Sequence, residues 1–255
     1  MKIQVLYLGK LECFKYHLVK CENNKEQILS PISAVLIQHP ILGNILYDTG
    51  NSPYYSTQYP AHVLDTYPVT EFISIKDALC EVGLTVNDID MIIMSHLHFD
   101  HAGGLQYFKG TKAIKNVIVS KAELENAQNA PEKNGAYVKE LFSVEGIEFH
   151  TISNNTRIAD DIELFIQQSH TPGVIGLLLL GISGKNMIFT SDTIYTKESF
   201  HRELPPGGTI NKTDQEFFDN LKIIKKMQQD YQAELFFGHD YEQVKRSADN
   251  SHCGQ

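Results

Sequence analysis

The sequence predicts a strand-rich α+β domain, on three observations. Short apolar and β-branched runs recur along the whole chain and are separated by turn residues more often than by helices. Only three stretches read as helix. No internal repeat, low-complexity tract or Pro/Ser linker divides the 255 residues, so one domain spanning residues 1–255 is expected.

Taken in chain order, Lys2–Leu8, Phe14–Val19, Ala34–His39 and Ile45–Tyr47 are the first candidate strands. Thr70 is placed to cap a helix that runs to about Val82 and stops at Gly83. Asp90–Met94 and Asn116–Val119 follow as strands, and Lys121–Asn129 as a short helix. Glu163–Gln167, Gly176–Leu180 and Met187–Thr190 are strands again. Phe217, Leu221, Ile224, Met227 and Tyr231 then recur at spacings of four, three, three and four, which makes Thr213 to about Asp230 an amphipathic helix with its stripe in the core. Ala233–Phe237 is the last strand. The tail from Arg246 to Gln255 reads as lacking apolar residues and is expected to fray, with His252 and Cys253 in solvent.

Composition narrows the partners. Hydrophobic residues make up 42% of the chain and charged residues 21%, which is ordinary globular usage, but the formal charge is -9. An acidic surface does not attract nucleic acid or an anionic membrane, so neither is an expected partner. A neutral or cationic small molecule is easier to recruit. Met1–Lys10 is too interrupted for a secretory apolar segment and no window approaches a membrane span of about 20 residues, which points to the cytoplasm. Cys13, Cys21, Cys80 and Cys253 form no C-x-x-C pair and fit reduced thiols, with a Cys13–Cys21 bridge the one pairing left open. Nothing in the composition sets an oligomeric state.

The chemistry concentrates in Ser95-His96-Leu97-His98-Phe99-Asp100-His101-Ala102-Gly103-Gly104, which follows the apolar run Met91–Met94. Three imidazoles and a carboxylate within six positions are a metal site at a strand end. Burying four such side chains without a shared partner would cost several kcal/mol. His96 and His98 are spaced to face one ion, while Asp100 and His101 can face another. His170, Asp192 and His239 each follow a candidate strand as well, so each strand would deliver one ligand to a common edge.

These residues resemble the metallo-β-lactamase superfamily. The resemblance rests on His96, His98, Asp100 and His101, on His170 in Ser169-His170-Thr171-Pro172-Gly173, on Asp192 in Thr190-Ser191-Asp192, and on His239 in Phe237-Gly238-His239-Asp240. Asp48-Thr49-Gly50 looks like the same family's upstream motif, in which the Asp supports the ligand loop from behind. The likeness runs from about Ala34 to Tyr241 and implies a four-layer αββα sandwich, with two divalent metals at one edge of its sheets. Zinc suits the N/O donor set, and iron, manganese or cobalt fit the same shell.

Within the superfamily the chain is most similar to the N-acyl homoserine lactonases. Asp192-Thr193-Ile194-Tyr195 looks like their bridging aspartate with an active-site tyrosine three residues on, and Phe99 also matches. Val174 stands where the family commonly has a second His, and Gln167-Gln168-Ser169 where Thr-Pro-Gly often precedes the ligand. The resemblance implies a hydrolase that opens a lactone ring, the nucleophile being hydroxide formed between the two metals. His96, His98 and His170 would hold one metal, Asp100, His101 and His239 the other, and Asp192 would bridge them. Tyr195 would stabilise the developing oxyanion and Asp100 would carry the proton, while Phe99 is read as a packing residue. The alternative is a thiolester hydrolase of the glyoxalase II type or a phosphodiester hydrolase, since those relatives keep the bridging aspartate too. Redox relatives usually carry Glu at the His98 position and are set aside. A non-catalytic member normally lacks ligands, and none is missing here.

Overall fold

A computed structural model describes residues 1–23, 25–131, 135–207 and 213–252. The first of its two sheets has seven strands: β1 (Lys2–Phe14), β2 (Gln27–His39), β3 (Gly43–Tyr47), β4 (Val69–Phe72), β5 (Met91–Ile93), β6 (Val117–Ser120) and β7 (Phe149–Ile152), in spatial order β4-β1-β2-β3-β5-β6-β7. The second has five, β8 (Thr156–Ala159), β9 (Ile162–Gln167), β10 (Val174–Ile182), β11 (Lys185–Phe189) and β12 (Ala233–Phe236), in order β12-β11-β10-β9-β8. Short helices α1 (Lys15–Leu18), α2 (Tyr55–Gln58) and α3 (Ala61–Thr66) lie in the early connections, followed by α4 (Ile75–Glu81), α5 (Phe99–Ala102) and α6 (Lys121–Asn129). Helices α7 (Lys197–Arg202), α8 (Asp214–Tyr231) and α9 (Tyr241–His252) belong to the second half.

Side-chain alternation along the strands builds the layers. Val5, Val35, Ile37, Ile45 and Ile118 point from the first sheet onto Leu164, Ile175, Leu177 and Phe189 of the second, forming the core between the sheets. Their neighbours Leu6, Leu36, Leu46, Val117 and Val119 face outward beneath Ala78 and Leu79 of α4 and Ala127 of α6. Leu178, Ile188 and Leu235 face the other way, beneath Phe217, Leu221 and Ile224 of α8. The result is helix, sheet, sheet, helix: the four-layer αββα sandwich. Residues 174–179 of β10 are buried on both faces for that reason.

The structure moves several elements. Phe14–Val19 is not a strand. β1 runs through Gly9 to Phe14, and the chain then turns into α1 with Leu18 and Val19 buried. Gly9 ends nothing; it holds a bulge at φ +100, where a Cβ would fall 2.1 Å from the Glu71 carbonyl of β4. Thr70 caps no helix either, because Val69–Phe72 pairs with β1 at the sheet edge. Ser74 is the cap of α4, accepting from the Asp77 N–H at 3.1 Å, and Gly83 follows its end at φ +76. α6 and α8 fall where their sequence patterns put them, with Ser120 capping α6. Beyond Arg246, where fraying was expected, α9 continues to His252, with Val244 and Ala248 buried one turn apart. Cys253 lies outside the described residues, and so does the side chain of His252. Cys13, Cys21 and Cys80 are free thiols, so the Cys13–Cys21 pairing is not formed. No helix among the described residues is long and apolar enough to cross a membrane.

Candidate metal centre

Five connections at one edge of the sandwich carry the site. β3 delivers Asp48, β5 leads into His96 and His98, and α5 carries Asp100 and His101. The β9–β10 turn holds His170, the turn after β11 holds Asp192, and the residues after β12 hold His239. Two of these positions need left-handed backbone: Asp48 has φ +61 and His170 φ +72.

The seven ligand-type residues converge. His170 Nε2 lies 3.0 Å from His96 Nε2 and 2.9 Å from His98 Nδ1. Asp100, His101 and His239 form a second group whose ligand atoms lie within 4.8 Å of one another. Asp192 stands between the groups and divides its oxygens. Oδ1 is 3.2 Å from His101 Nε2 and 3.1 Å from His239 Nε2, while Oδ2 is 3.5 Å from His170 Nε2 and 3.8 Å from His96 Nε2.

Groups behind the ligands fix which ring nitrogen faces inward. The Asp48 carboxylate can only accept; Oδ2 is 2.9 Å from His101 Nδ1 and Oδ1 takes the Ser95 N–H at 2.8 Å. His101 therefore donates from Nδ1 and points Nε2 into the centre. His239 Nδ1 is 3.1 Å from the Pro31 carbonyl and 2.8 Å from Ser30 Oγ, with the same outcome. Ser95 Oγ meets His96 Nδ1 at 2.9 Å, and Tyr195 Oη meets His170 Nδ1 at 2.8 Å. Ser30 and Ser95 are supports that the sequence reading missed. Ser95 adjoins the motif, but Ser30 is 209 positions from His239 and gives no local signal.

Burial and the neighbouring imidazoles hold His96 and His98 well below the ordinary imidazole value, and burial takes His170 down to about 4. These three rings are neutral. Burial alone would push the Asp192 carboxyl up, yet His239, His101, His170 and His96 together keep it well below the usual range. For His101 and His239, burial is outweighed by Asp192 and Asp100, which raise both rings.

A cation fits this donor set. The buried His101 Nε2 has no hydrogen-bond partner, and three lone-pair nitrogens crowd together beside a fixed carboxylate. Without a shared partner such an arrangement costs several kcal/mol. Beside it opens a cavity whose walls are mainly apolar: Leu11, Cys13, Leu18, Tyr67, Phe99 and Ala136. Asp100 and Tyr195 face into it from the metal side. Phe99 packs its ring 4.9 Å from that of Tyr59 and also lines this cavity, so it is core and wall at once. Val174, where the family commonly has a second His, is a buried residue opening β10.

The model of the metallo-beta-lactamase superfamily matches residues 28–239. The chain belongs to this superfamily. Among its curated relatives, an N-acyl homoserine lactonase of Bacillus sp is 35% identical over 177 residues, 69% of this chain and 66% of that protein. The N-acyl homoserine lactonase AttM of Rhizobium radiobacter is 24% identical over 260 residues, 94% of this chain and 93% of AttM. An N-acyl homoserine lactone hydrolase solved with the product N-hexanoyl-L-homoserine at its catalytic metal centre superposes with a TM-score of 0.81 at 25% identity, covering 96% of this chain and 95% of that one. The donor groups of this chain provide for two divalent ions.

Elemental analysis of metal-supplemented protein is expected to find two ions per chain, because the donor atoms form two groups joined by one carboxylate. A reproducible stoichiometry of one would remove the dinuclear assignment.

Proposed function

We propose that the protein is a dinuclear metallohydrolase that opens the ring of N-acyl homoserine lactones. The observation that carries this reading is the divided carboxylate of Asp192 beside the Tyr195 hydroxyl and an apolar cavity. The named relatives, lactonases at 35% and 24% identity, support it. His96, His98 and His170 would hold one ion and Asp100, His101 and His239 the other, with Asp192 within reach of both groups. The imidazole and carboxylate donors suit zinc.

Divalent ions in this shell supply Lewis acidity, polarising an ester carbonyl and bringing the pKa of a coordinated water toward about 7. The chain's own groups do the rest. His170 turns Nε2 to the centre, so its Nδ1 carries the proton and donates to Tyr195 Oη at 2.8 Å. The Tyr195 O–H is then free to donate to the carbonyl oxygen as negative charge develops there. Burial raises the Tyr195 hydroxyl far above its ordinary value, so it stays a donor across the working pH range. Asp100, on the cavity wall, would take the proton that the attacking water gives up and pass it to the departing ring oxygen. The acyl chain lies along Leu11, Leu18, Tyr67 and Phe99, where a neutral substrate is recruited by apolar contact. An acidic chain of net charge -9 gives no long-range attraction to an anionic one. Free Cys13, Cys21 and Cys80 fit a reducing compartment such as the cytoplasm.

The test is a panel of lactones, thiolesters, phosphodiesters and β-lactams, followed by acid release at one metal loading. Fastest turnover is expected on N-acyl homoserine lactones. Lactones near background beside an active thiolester or phosphodiester would move the protein to that substrate class.

A further inference from the structure

The first turn of α6 touches both loops that carry the His96, His98 and His170 group, although it contributes no ligand. Glu123 is fully buried, and its Oε1 accepts the backbone N–H of Leu97 at 2.8 Å. Leu97 sits between His96 and His98, so this one hydrogen bond holds the peptide from which both imidazoles project. The other oxygen, Oε2, accepts the Tyr137 hydroxyl at 3.2 Å, and the Tyr137 ring meets the His98 ring edge to face at a centroid distance of 4.5 Å. Asn126, one turn further along α6, donates to the same hydroxyl at 2.9 Å.

The third ligand is braced from the same turn. Ser120 Oγ donates to the Gly173 carbonyl at 2.6 Å, three residues after His170, while capping α6 by accepting the Glu123 N–H at 3.1 Å. The approach is close enough that a Cβ on Gly173 would fall 2.0 Å from Ser120 Oγ. One helix turn thus ties two segments more than seventy residues apart in sequence.

We infer that Glu123, with Tyr137 and Ser120, is a positioning group that sets the spacing of the His96, His98 and His170 nitrogens and so tunes the affinity of that site alone. The Asp100, His101 and His239 group has its own supports in Asp48 and Ser30 and makes none of these contacts. This inference rests on the metal reading above, not on the choice of substrate.

Metal affinity of the apo-protein tests it directly. Zn²⁺ is titrated against a chromophoric chelator, and the melting temperature of each apo variant is recorded alongside. E123L, an apolar replacement of similar size, is expected to weaken one of the two dissociation constants by about 10- to 100-fold and the other by less than about threefold, the scale seen when a group orienting a ligand is lost. E123Q keeps an oxygen for Leu97 and is expected to bind both ions within about threefold of wild type. Wild-type affinity at both sites in E123L, or a Gln variant as weak as the Leu variant, overturns the inference. Should E123L fail to fold, Y137F decides. It leaves the ring on His98 but removes the hydroxyl, and is expected to weaken the same ion by roughly three- to tenfold; unchanged binding overturns the inference. A wild-type chain that binds fewer than two ions overturns the metal reading itself, a result distinguishable from failure of the brace.

Discussion

Asp192→Asn is expected to lower kcat/KM for lactone opening by roughly 1,000-fold or more, a loss of about 4 kcal/mol at about 1.4 kcal/mol per tenfold. The substitution conserves size and removes two properties together. The negative charge that faces four imidazoles disappears, and one of the two oxygens becomes an NH₂ that cannot ligate. The amide can then serve one donor group but not both, so metal content is expected to fall from two ions toward one in the same samples. His101 and His239 owe their raised pKa first to Asp192 among the carboxylates. A variant that keeps two ions and a tenth of wild-type activity would show that Asp192 is not the bridge.

The site was legible in the sequence because its residues are chemically conspicuous where they stand. Four lie inside one six-residue stretch, and His170, Asp192 and His239 each close an apolar run that could be read as a strand. Long amphipathic or capped segments were legible for a similar reason: α8 repeats its stripe over four turns, and α6 starts at a Ser that is its cap. What escaped depends on partners far away. β4 reads locally as the start of a helix, yet Val69–Phe72 is claimed by hydrogen bonds to β1 at the sheet edge. β7 and β8 each lie at the edge of their own sheet with half-exposed side chains, so they lack the apolar alternation that marks a strand. Gly9 looks like an end and acts as a bulge, because β4 supplies the close approach that only a glycine tolerates. Ser30 and Glu123 are ordinary letters until the fold brings them beside His239 and Leu97.

Tyr195→Phe is expected to lower kcat by about 10- to 1,000-fold while metal content stays at two, the scale of removing one donor to a developing oxyanion. The ring is held whatever the hydroxyl does. It is buried against Cys13, Leu18 and Val19, and its backbone carbonyl accepts the His239 N–H at 3.2 Å, so phenylalanine should occupy the same place. What changes is the bond network at His170. In the wild-type chain Nδ1 is satisfied by Tyr195 Oη at 2.8 Å, and the ring is pinned with Nε2 toward the other imidazoles. The phenylalanine variant takes the Tyr195 oxygen away from that N–H, a modest cost to the ligand, and deprives the cavity of a donor, a large cost to the transition state. The two effects separate in measurement. Loss of the donor lowers kcat with little change in KM or in Zn²⁺ affinity, whereas a loosened His170 would lower Zn²⁺ affinity and be rescued by excess metal. Wild-type kcat on the best lactone would assign Tyr195 to the scaffold and take away the hydroxyl on which the lactonase reading relies.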